Sequence, residues 1–441
     1  MSTESRGRPR AATHREVLAI ALPIMLSNVS TPLLGVVDTA VVGRIPDPAH
    51  VGAVAVGALI FSFVFLGFGF LRMGTTGLTA QALGAGDERE VRAGLVRALL
   101  VAAGCGTALI ALQWPIRWVS FALLEGTEQV ESLAAVYFDY RIFSAPAALT
   151  SYALLGWFVG LGRTGVGLML QLVLNVTNMA LDALFVLAFD WGVEGVALGT
   201  LMAEWIAAIV GLAVAFVVVR RRGGRSLDWE RVLDRERLKR TFAVSSDIMI
   251  RSLALVFAFA FFTAQGAAMG EVLLAANAVL MQFINVSAYV LDGLAFAAEA
   301  LVGRAIGAQS PGAIVTAVRR TTLWAAGLAL LVALVLFVFG DTFIRWMIVD
   351  ESARAAAREY LFWSAAAPFV GVWCFQLDGI FIGATRTAEM RNAALASLVL
   401  FLGAWWLLRP FGNHGLWASL HTHYLARTLT LLRYYRRITG T

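Results

Sequence analysis

The chain has 441 residues, of which 59% are hydrophobic and only 15% are charged, and its mean hydropathy is +0.76. A soluble globular protein of this length needs far more polar surface, so the composition excludes that class and indicates an integral membrane protein. The two cysteines, Cys105 and Cys374, lie far apart in apolar stretches, which predicts neither a disulfide framework nor a metal site.

Long apolar stretches follow one another along the whole chain, each near or above the ~20 residues that cross a bilayer as a helix. They are too long, and alternate too little, to be the short strands of a membrane β-barrel. The sequence therefore predicts an all-α integral membrane protein. Its twelve predicted transmembrane helices are at 17–42, 51–82, 91–112, 131–160, 166–188, 193–219, 242–266, 272–303, 313–340, 356–383, 390–409 and 414–435.

The second half of the chain repeats the first at an offset of 223 residues. Leu83–Gly86 resembles Ile306–Gln309, and Gly160–Thr164 resembles Gly383–Thr387. Because each copy has an even number of helices, the copies are expected to be related by a pseudo-two-fold axis along the membrane normal. The predicted parts are an N-lobe at 1–219 with helices 1–6, a cytoplasmic linker at 220–240 and a C-lobe at 241–441 with helices 7–12.

The basic residues are distributed unevenly between the two predicted sides of the membrane. With a cytoplasmic N-terminus, twenty-five Lys and Arg residues fall on the cytoplasmic side and six on the opposite side. This positive-inside bias predicts that both termini are cytoplasmic. The net charge of +6 thus follows from membrane topology, with anionic lipid headgroups as neighbours, and does not require nucleic acid as a partner.

The sequence also indicates which energy source drives the protein. The sequence contains no Walker motif and no other glycine-rich phosphate loop, so ATP is excluded as the direct energy source. Two six-helix lobes around a central cleft are typical of secondary transporters, in which the lobes expose a site alternately to each side. An ion gradient is therefore the predicted driving force.

Asp38 is a carboxylate inside the first apolar stretch. A charged side chain within a membrane span costs on the order of 3 kcal/mol or more, so it indicates a functional site, usually on an ion or proton path. Pro23 and Pro32 are expected to bend the same helix, because proline removes a backbone hydrogen bond. We interpret Asp38 as part of the coupling machinery, carried on a helix that can bend.

Asn178 and Asp182 lie one turn apart in the fifth predicted helix, and the small residues that begin the sixth allow Thr200 to approach them. Asp38 and Asp182 both fall in the outer half of the membrane, so these oxygens can converge. Two carboxylates in a dry pocket cannot both ionise cheaply, which favours a bound proton. The same oxygens also suit sodium, and a polar cluster that only fixes helix packing is the third interpretation.

The deeper acids of the second half are Asp292 and Asp378, each followed by a glycine. They are expected either to form a second ion or cationic-substrate site, or to cap and pair within the lobe. Asp247 and Arg251 are four residues apart on one helix face, a spacing that predicts a structural ion pair between them.

Several blocks, in the same order along nearly the whole chain, resemble the multidrug and toxic compound extrusion (MATE) transporters, in particular the DNA-damage-inducible F (DinF) branch. The blocks are Ala21–Met25, Pro32–Val41, Leu71–Gln81, Asp247–Ser252 and Gly371–Asn392. Together they are specific, although each one alone is a weak signal.

The resemblance implies twelve helices in two lobes, and export of cationic or amphipathic compounds against inward proton or sodium flow. It also implies roles for individual residues, including bending of the first helix at Pro23. The positions matching the family's N-lobe cation site are Asp38, Asn178, Asp182 and Thr200, with Tyr140 near them, and Asp378 matches an acidic C-lobe position of some relatives. The two histidines His421 and His423 depart from the family pattern.

We therefore expect a monomeric antiporter in the bacterial inner membrane, surrounded by lipid, that exports amphipathic or cationic small molecules by alternating access. It needs no cofactor; the coupling ion is H+, with Na+ as the alternative. A lipid or lipid-linked saccharide flippase of the same superfamily is the alternative function, although it would call for a strongly cationic cleft. An integral-membrane enzyme is disfavoured, because the sequence lacks a clustered nucleophile and base.

Overall fold

The computed structural model describes residues 11–45, 47–123, 127–224 and 228–439; within these ranges, the side chains at 31–34, 36–39 and 439 lie outside the description. The described residues form α-helices and no strand. The helices are α1 (His14–Val42), α2 (Pro48–Leu66), α3 (Phe70–Gly84), α4 (Glu88–Ala111), α5 (Gln113–Leu123), α6 (Glu128–Arg141), α7 (Ala145–Gly160), α8 (Thr164–Asp182), α9 (Val193–Arg221), α10 (Trp229–Val232), α11 (Arg235–Ala268), α12 (Glu271–Gly307), α13 (Pro311–Met347), α14 (Glu351–Gly383), α15 (Thr387–Leu408) and α16 (Gly412–Thr439).

Two of the predicted spans are interrupted. The predicted span 51–82 divides into α2 and α3, and the predicted span 131–160 divides into α6 and α7 at a 3-10 turn, Ile142–Ser144. Pro146 lies in the first turn of α7, where a missing N–H breaks no helical hydrogen bond, so a helix can restart there.

Ten helical stretches in the described part of the chain are long and apolar enough to cross a membrane. The last of them, Thr387–Ile438, has 52 residues and contains both α15 and α16. At a rise of 1.5 Å per residue this stretch is more than twice as long as a bilayer core is thick, so it corresponds to two crossings. With α1 as a further helix of spanning length, the helix content agrees with twelve spans.

The chain forms two compact units. Unit 1 contains the chain up to Met25, the segment Ala80–Gly86 and the chain from Ala243 onward, and unit 2 contains Leu26–Thr79 and Asp87–Phe242. The start of α1 and the end of α3 are thus grouped with unit 1, and the linker is grouped with unit 2. The lobe bounds 1–219, 220–240 and 241–441 remain predictions from the sequence.

Unit 2 is built around a fully buried apolar core, with Phe138, Trp157 and Phe158 all at 0% exposure. The Trp157 indole N–H donates to the Val91 carbonyl at 3.0 Å, which ties α7 to α4. Arg141 of α6 donates to a Glu204 carboxylate oxygen of α9 at 2.7 Å, and both side chains are buried. A buried pair of this kind satisfies two charges that would otherwise be costly inside a membrane protein.

Unit 1 combines an aromatic core with a buried amide network. Phe262 and Trp417 are fully buried and meet edge to face at 5.0 Å between ring centroids. Asn277 of α12 and Asn413 of α16 exchange hydrogen bonds of 2.8 and 3.0 Å, and the Trp417 indole N–H donates to the Asn277 side-chain oxygen at 3.0 Å. These bonds pair α12 with α16 without leaving the amides unsatisfied.

The linker between the two sequence copies packs onto the start of α4. Asp87 caps α4 by accepting a hydrogen bond from the Glu90 N–H at 3.0 Å. Its two carboxylate oxygens also accept from Arg231 of α10, each at 2.9 Å. Arg222, at the end of α9, pairs with Glu88. These ion pairs hold the described part of the linker against unit 2.

Candidate functional site

Asn178, Asp182 and Thr200 come together in unit 2, where α8 packs against α9. The Asn178 side-chain N–H donates to the Thr200 hydroxyl oxygen at 3.1 Å, and the Thr200 hydroxyl donates to the Val196 carbonyl at 2.9 Å. Asn178 and Asp182 are 1% and 0% exposed. Spacing within α8 and close approach of α9 therefore bring the buried Asn178 and Asp182 together with the half-buried Thr200 in one polar cluster.

Gly199 explains how the Asp182 carboxylate reaches α9. A Cβ atom at position 199 would overlap the Asp182 Oδ1 atom, so the carboxylate rests directly on the helix backbone beside Thr200. Only glycine leaves this space open. Asp182 is also the last residue of α8 before a π-helical segment, Ala183–Ala188, and such segments are frequent at functional sites.

The side-chain oxygen of Asn178 is buried and accepts no hydrogen bond from any described residue. A buried acceptor without a donor costs about 1–3 kcal/mol. A protonated carboxyl group or a bound cation supplies what this oxygen lacks, and both are chemistries that the sequence predicts here. The arrangement therefore fits either a proton or a sodium ion.

The described contacts do not connect the other two predicted N-lobe residues, Asp38 and Tyr140, to this cluster. Asp38 lies in the helical backbone of α1, but its side chain falls outside the described residues. Tyr140 is at the end of α6 and 39% exposed, and within the described part of the chain it makes no hydrogen bond to Asn178, Asp182 or Thr200.

A second polar contact, which the sequence reasoning missed, joins α1 to α8. The Asn175 side-chain N–H donates to the Ser30 hydroxyl at 3.0 Å, and Gln171 donates to the Asn175 side-chain oxygen at 2.9 Å. Gln171, Asn175, Asn178 and Asp182 recur at spacings of three or four residues and so occupy one face of α8. That spacing was a signal available in the sequence.

The two prolines of α1 lie inside a helix that continues from His14 to Val42. Pro23 is half-buried, and the side chain of Pro32 lies outside the described residues. The bend predicted at these positions therefore stays a prediction.

Asp378 is held in unit 1 by two arginines. Its Oδ2 atom accepts hydrogen bonds from Arg251 of α11 and Arg427 of α16. All three side chains are buried, at 5%, 7% and 3% exposure respectively. Of the two alternatives raised by the sequence, the contacts favour pairing within the lobe for Asp378. Asp292 lies half-buried on α12.

The predicted ion pair between Asp247 and Arg251 is not formed. Asp247 instead accepts hydrogen bonds from Arg391 at 2.6 Å and from the Thr387 hydroxyl at 3.0 Å, both on α15. The prediction rested on i,i+4 spacing, which brings side chains close on an isolated helix. In the folded unit, Asp247 and Arg251 instead pair with residues of neighbouring helices that lie within hydrogen-bond distance.

His421 and His423 of α16 are buried and lie against aromatic side chains. His421 places its Nδ1 atom 3.0 Å from the Trp417 carbonyl and lies edge-on to the Trp363 ring at 5.2 Å. His423 is 0% exposed and lies against Phe401 and Tyr424. Groups of three or more His, Cys, Asp or Glu side chains able to hold a metal ion do not occur among the described residues.

Comparison with known proteins connects this chain to a transporter family. The family model described as MatE matches residues 23–184 and 248–407. The chain is 38% identical to DNA damage-inducible protein F of Escherichia coli K12, over 95% of the chain and 91% of that protein. It is 27% identical to the probable multidrug resistance protein NorM of Caulobacter vibrioides, over 95% and 90% of the two chains.

Solved structures show the same fold. A crystal structure of MATE in the bent conformation matches with a TM-score of 0.88 and 19% identity, covering 99% of this chain and 96% of the other. The Vibrio cholerae MATE transporter VcmN in the bent form matches with a TM-score of 0.85 and 21% identity, covering 97% of each chain. The predicted all-α membrane fold and the resemblance to MATE transporters are thereby confirmed.

Proposed function

The chain belongs to the MatE family of multidrug efflux transporters, and from this premise we propose that it is an ion-coupled antiporter that exports amphipathic or cationic small molecules by alternating access. The Caulobacter relative is named a multidrug resistance protein, which supports small-molecule cargo. The chain is a multi-pass membrane transporter and not an enzyme. We place it in the bacterial inner membrane as a monomer. The distribution of its basic residues supports the placement of both termini in the cytoplasm.

The observation that carries this proposal is the buried cluster of Asp182, Asn178 and Thr200. An acid at 0% exposure in an apolar unit, next to an amide oxygen without a donor, is suited to binding and releasing a cation. We assign the coupling site to these residues together with Asp38, with Tyr140 at its edge. Asp378 is neutralised by Arg251 and Arg427, so we assign it a structural role in unit 1, with Asp292 as the remaining acid for a C-lobe site.

We propose H+ as the coupling ion, with Na+ as the alternative. Burial favours the neutral form of a carboxyl group, and a proton shared by two nearby acids also removes their mutual repulsion. An inward proton gains energy from the pH gradient and, in addition, ~2.3 kcal/mol per 100 mV of membrane potential. In an antiporter, this free energy of inward proton movement can drive the cargo outward.

Transport in sealed vesicles tests the proposal. The purified protein is reconstituted, a proton or a sodium gradient is imposed, and a panel of cationic, neutral and anionic amphipathic dyes is followed. We expect cationic dye movement against its gradient and proton release on dye addition in sodium-free buffer. A strict sodium requirement at constant pH overturns the proton assignment. Absence of transport with either gradient overturns the antiporter itself.

A further inference from the structure

A groove of about 440 Å³ opens in unit 1 between α13, α14 and α16. One stripe of α13 forms most of its wall, and single aromatic residues of α14 and α16 complete it. The lining residues are Val315, Val318, Arg319, Thr322, Leu323, Ala326, Trp373 and Tyr435. The groove is thus apolar along most of its length, with one cationic side chain and two aromatic rings that carry a polar N–H or O–H.

Arg319 is exposed, and none of the described acids pairs with it. Two of the helices that line the groove offer no compensating charge: α16 contains no Asp or Glu, and α13 contains none before Asp341. The acid of α14 nearest in sequence to the groove residue Trp373 is Asp378, and it is already held by Arg251 and Arg427. The groove therefore presents a positive charge that a ligand with an anionic group would neutralise.

The position of Arg319 corresponds to a membrane interface. Residues 321–340 of α13 carry no charged side chain, and a stretch of ~20 such residues spans the hydrocarbon core. Arg319 and Arg320 lie immediately before this stretch, and Tyr435 lies among the basic residues Arg433, Arg436 and Arg437. Aromatic and basic side chains in this combination are typical of the headgroup level.

The hydrocarbon side of the groove runs along one leaflet. From Arg319 to Ala326 the helix rises about 10 Å at 1.5 Å per residue. One leaflet contributes about 15 Å of hydrocarbon, so the groove covers about two thirds of its depth. A ligand with its anionic group at Arg319 can therefore lay an acyl chain along Leu323, Ala326 and Trp373.

We propose that this groove is a binding site for one anionic phospholipid, with the phosphate at Arg319 and an acyl chain along α13. A zwitterionic headgroup would bring an ammonium group into surroundings without an acid, so it fits less well. The acyl chain accounts for the apolar wall, and the phosphate accounts for the unpaired guanidinium. This site is separate from the proposed coupling cluster, which lies in unit 2.

Native mass spectrometry of the full-length protein in neutral detergent tests this site. Phosphatidylglycerol and phosphatidylcholine with identical acyl chains are titrated separately, and the dissociation constant of the first bound lipid is determined. We expect tighter binding of phosphatidylglycerol to the wild type, and about fivefold weaker binding to Arg319→Gln, the equivalent of ~1 kcal/mol for one arginine near an anionic headgroup. The matched control is Arg433→Gln, which removes an exposed charge near the end of α16 that does not line the groove. This variant should bind phosphatidylglycerol as the wild type does.

A second pair of variants tests the acyl chain without changing charge. Ala326→Phe fills the groove and should weaken phosphatidylglycerol binding, whereas Leu330→Phe, on an exposed part of α13 outside the groove, should not. Equal effects of Arg319→Gln and Arg433→Gln overturn the proposal, as does equal affinity for the two lipids. Displacement of the lipid by glycerol phosphate at similar concentration also overturns it, because the site would then recognise a soluble anion.

Discussion

Gly84 packs directly against the backbone of Arg304: a Cβ atom at position 84 would overlap the Arg304 carbonyl oxygen. The reverse contact also exists, because a Cβ atom at Gly307 would overlap the Gln81 carbonyl oxygen. The pairs 84/307 and 81/304 are related by the 223-residue offset of the internal repeat. The two copies thus meet through a reciprocal contact, the arrangement that a two-fold axis produces between identical subunits.

Replacing Gly84 or Gly307 with alanine should destabilise the protein by about 1–3 kcal/mol, because the added methyl group has no space between the two backbones. Thermal unfolding of the detergent-solubilised protein measures this. Gly104→Ala in α4 is the matched control, since a Cβ atom there meets nothing within 4 Å. It should be neutral or stabilising by up to ~1 kcal/mol, as expected for Gly→Ala in a helix. Equal melting of all three variants would argue against the close contact.

Gly199→Ala should strongly lower gradient-driven efflux while the protein still inserts, because the methyl group displaces the Asp182 carboxylate from α9. We expect at least a tenfold loss of initial transport rate in vesicles, since catalytic and binding geometry tolerates little displacement. Gly165→Ala on α8 meets nothing within 4 Å and serves as the control. Wild-type transport by Gly199→Ala would show that the position of Asp182 on α9 does not matter.

Asp38→Asn and Asp182→Asn should each strongly lower coupled export in well-expressed protein, because each removes an acid of one proposed site. If the acids share a proton, their effects are non-additive, since the first substitution already removes the function of the second. A double-mutant cycle on residual proton-coupled dye efflux measures this. Simple addition of the two effects would mean that the acids act independently.

Asp378→Asn should lower the free energy of unfolding by about 3–5 kcal/mol, because it leaves Arg251 and Arg427 buried without a counter-charge. Arg427→Gln should cost less, since Arg251 still pairs with Asp378. The double variant Asp378→Asn with Arg427→Gln should recover part of the loss. Thermal unfolding of the three proteins distinguishes them. An Asp378→Asn protein with wild-type stability but without transport would assign Asp378 to coupling instead.

The contact between α10 of the linker and the start of α4 should weaken in acid, because it includes the ion pair between Arg231 and Asp87. Burial alone would raise the pKa of Asp87, but hydrogen bonds from the Glu90 N–H and Arg231 outweigh it and hold the pKa below its ordinary value. A lowered folded-state pKa means that the stabilisation is fully present above the ordinary pKa and is lost as the pH falls through the lowered value. Since Asp87 is partly exposed, its ion pair contributes only ~0.5–1 kcal/mol.

Hydrogen exchange of the α10 amides measures this effect. At neutral pH, Asp87→Asn should exchange faster than the wild type, and the difference should disappear as the pH falls through the lowered pKa of Asp87, where its carboxylate becomes protonated. Glu230→Gln is the control, because Glu230 is exposed and makes no ion pair with a described residue. A difference between Asp87→Asn and the wild type that persists unchanged in acid would contradict the role of the charge.

The sequence by itself determined the class of protein, its helices and its internal repeat. These follow from local properties: twenty apolar residues in a row must be helical in a bilayer, where every backbone N–H and C=O has to be paired within the chain. It also indicated Asn178, Asp182 and Thr200 as neighbours, because helical spacing and a run of small residues are visible in the chain itself.

The partners of the other charges were decided only by the tertiary structure. Arg251 lies four residues from Asp247 but pairs with Asp378, 127 residues away, while Asp247 pairs with Arg391, 144 residues away. The space at Gly199 that admits the Asp182 carboxylate is likewise invisible in the chain. A buried charge is stabilised by whichever opposite charge the packing brings within hydrogen-bond distance, and that choice depends on how helices far apart in sequence are packed.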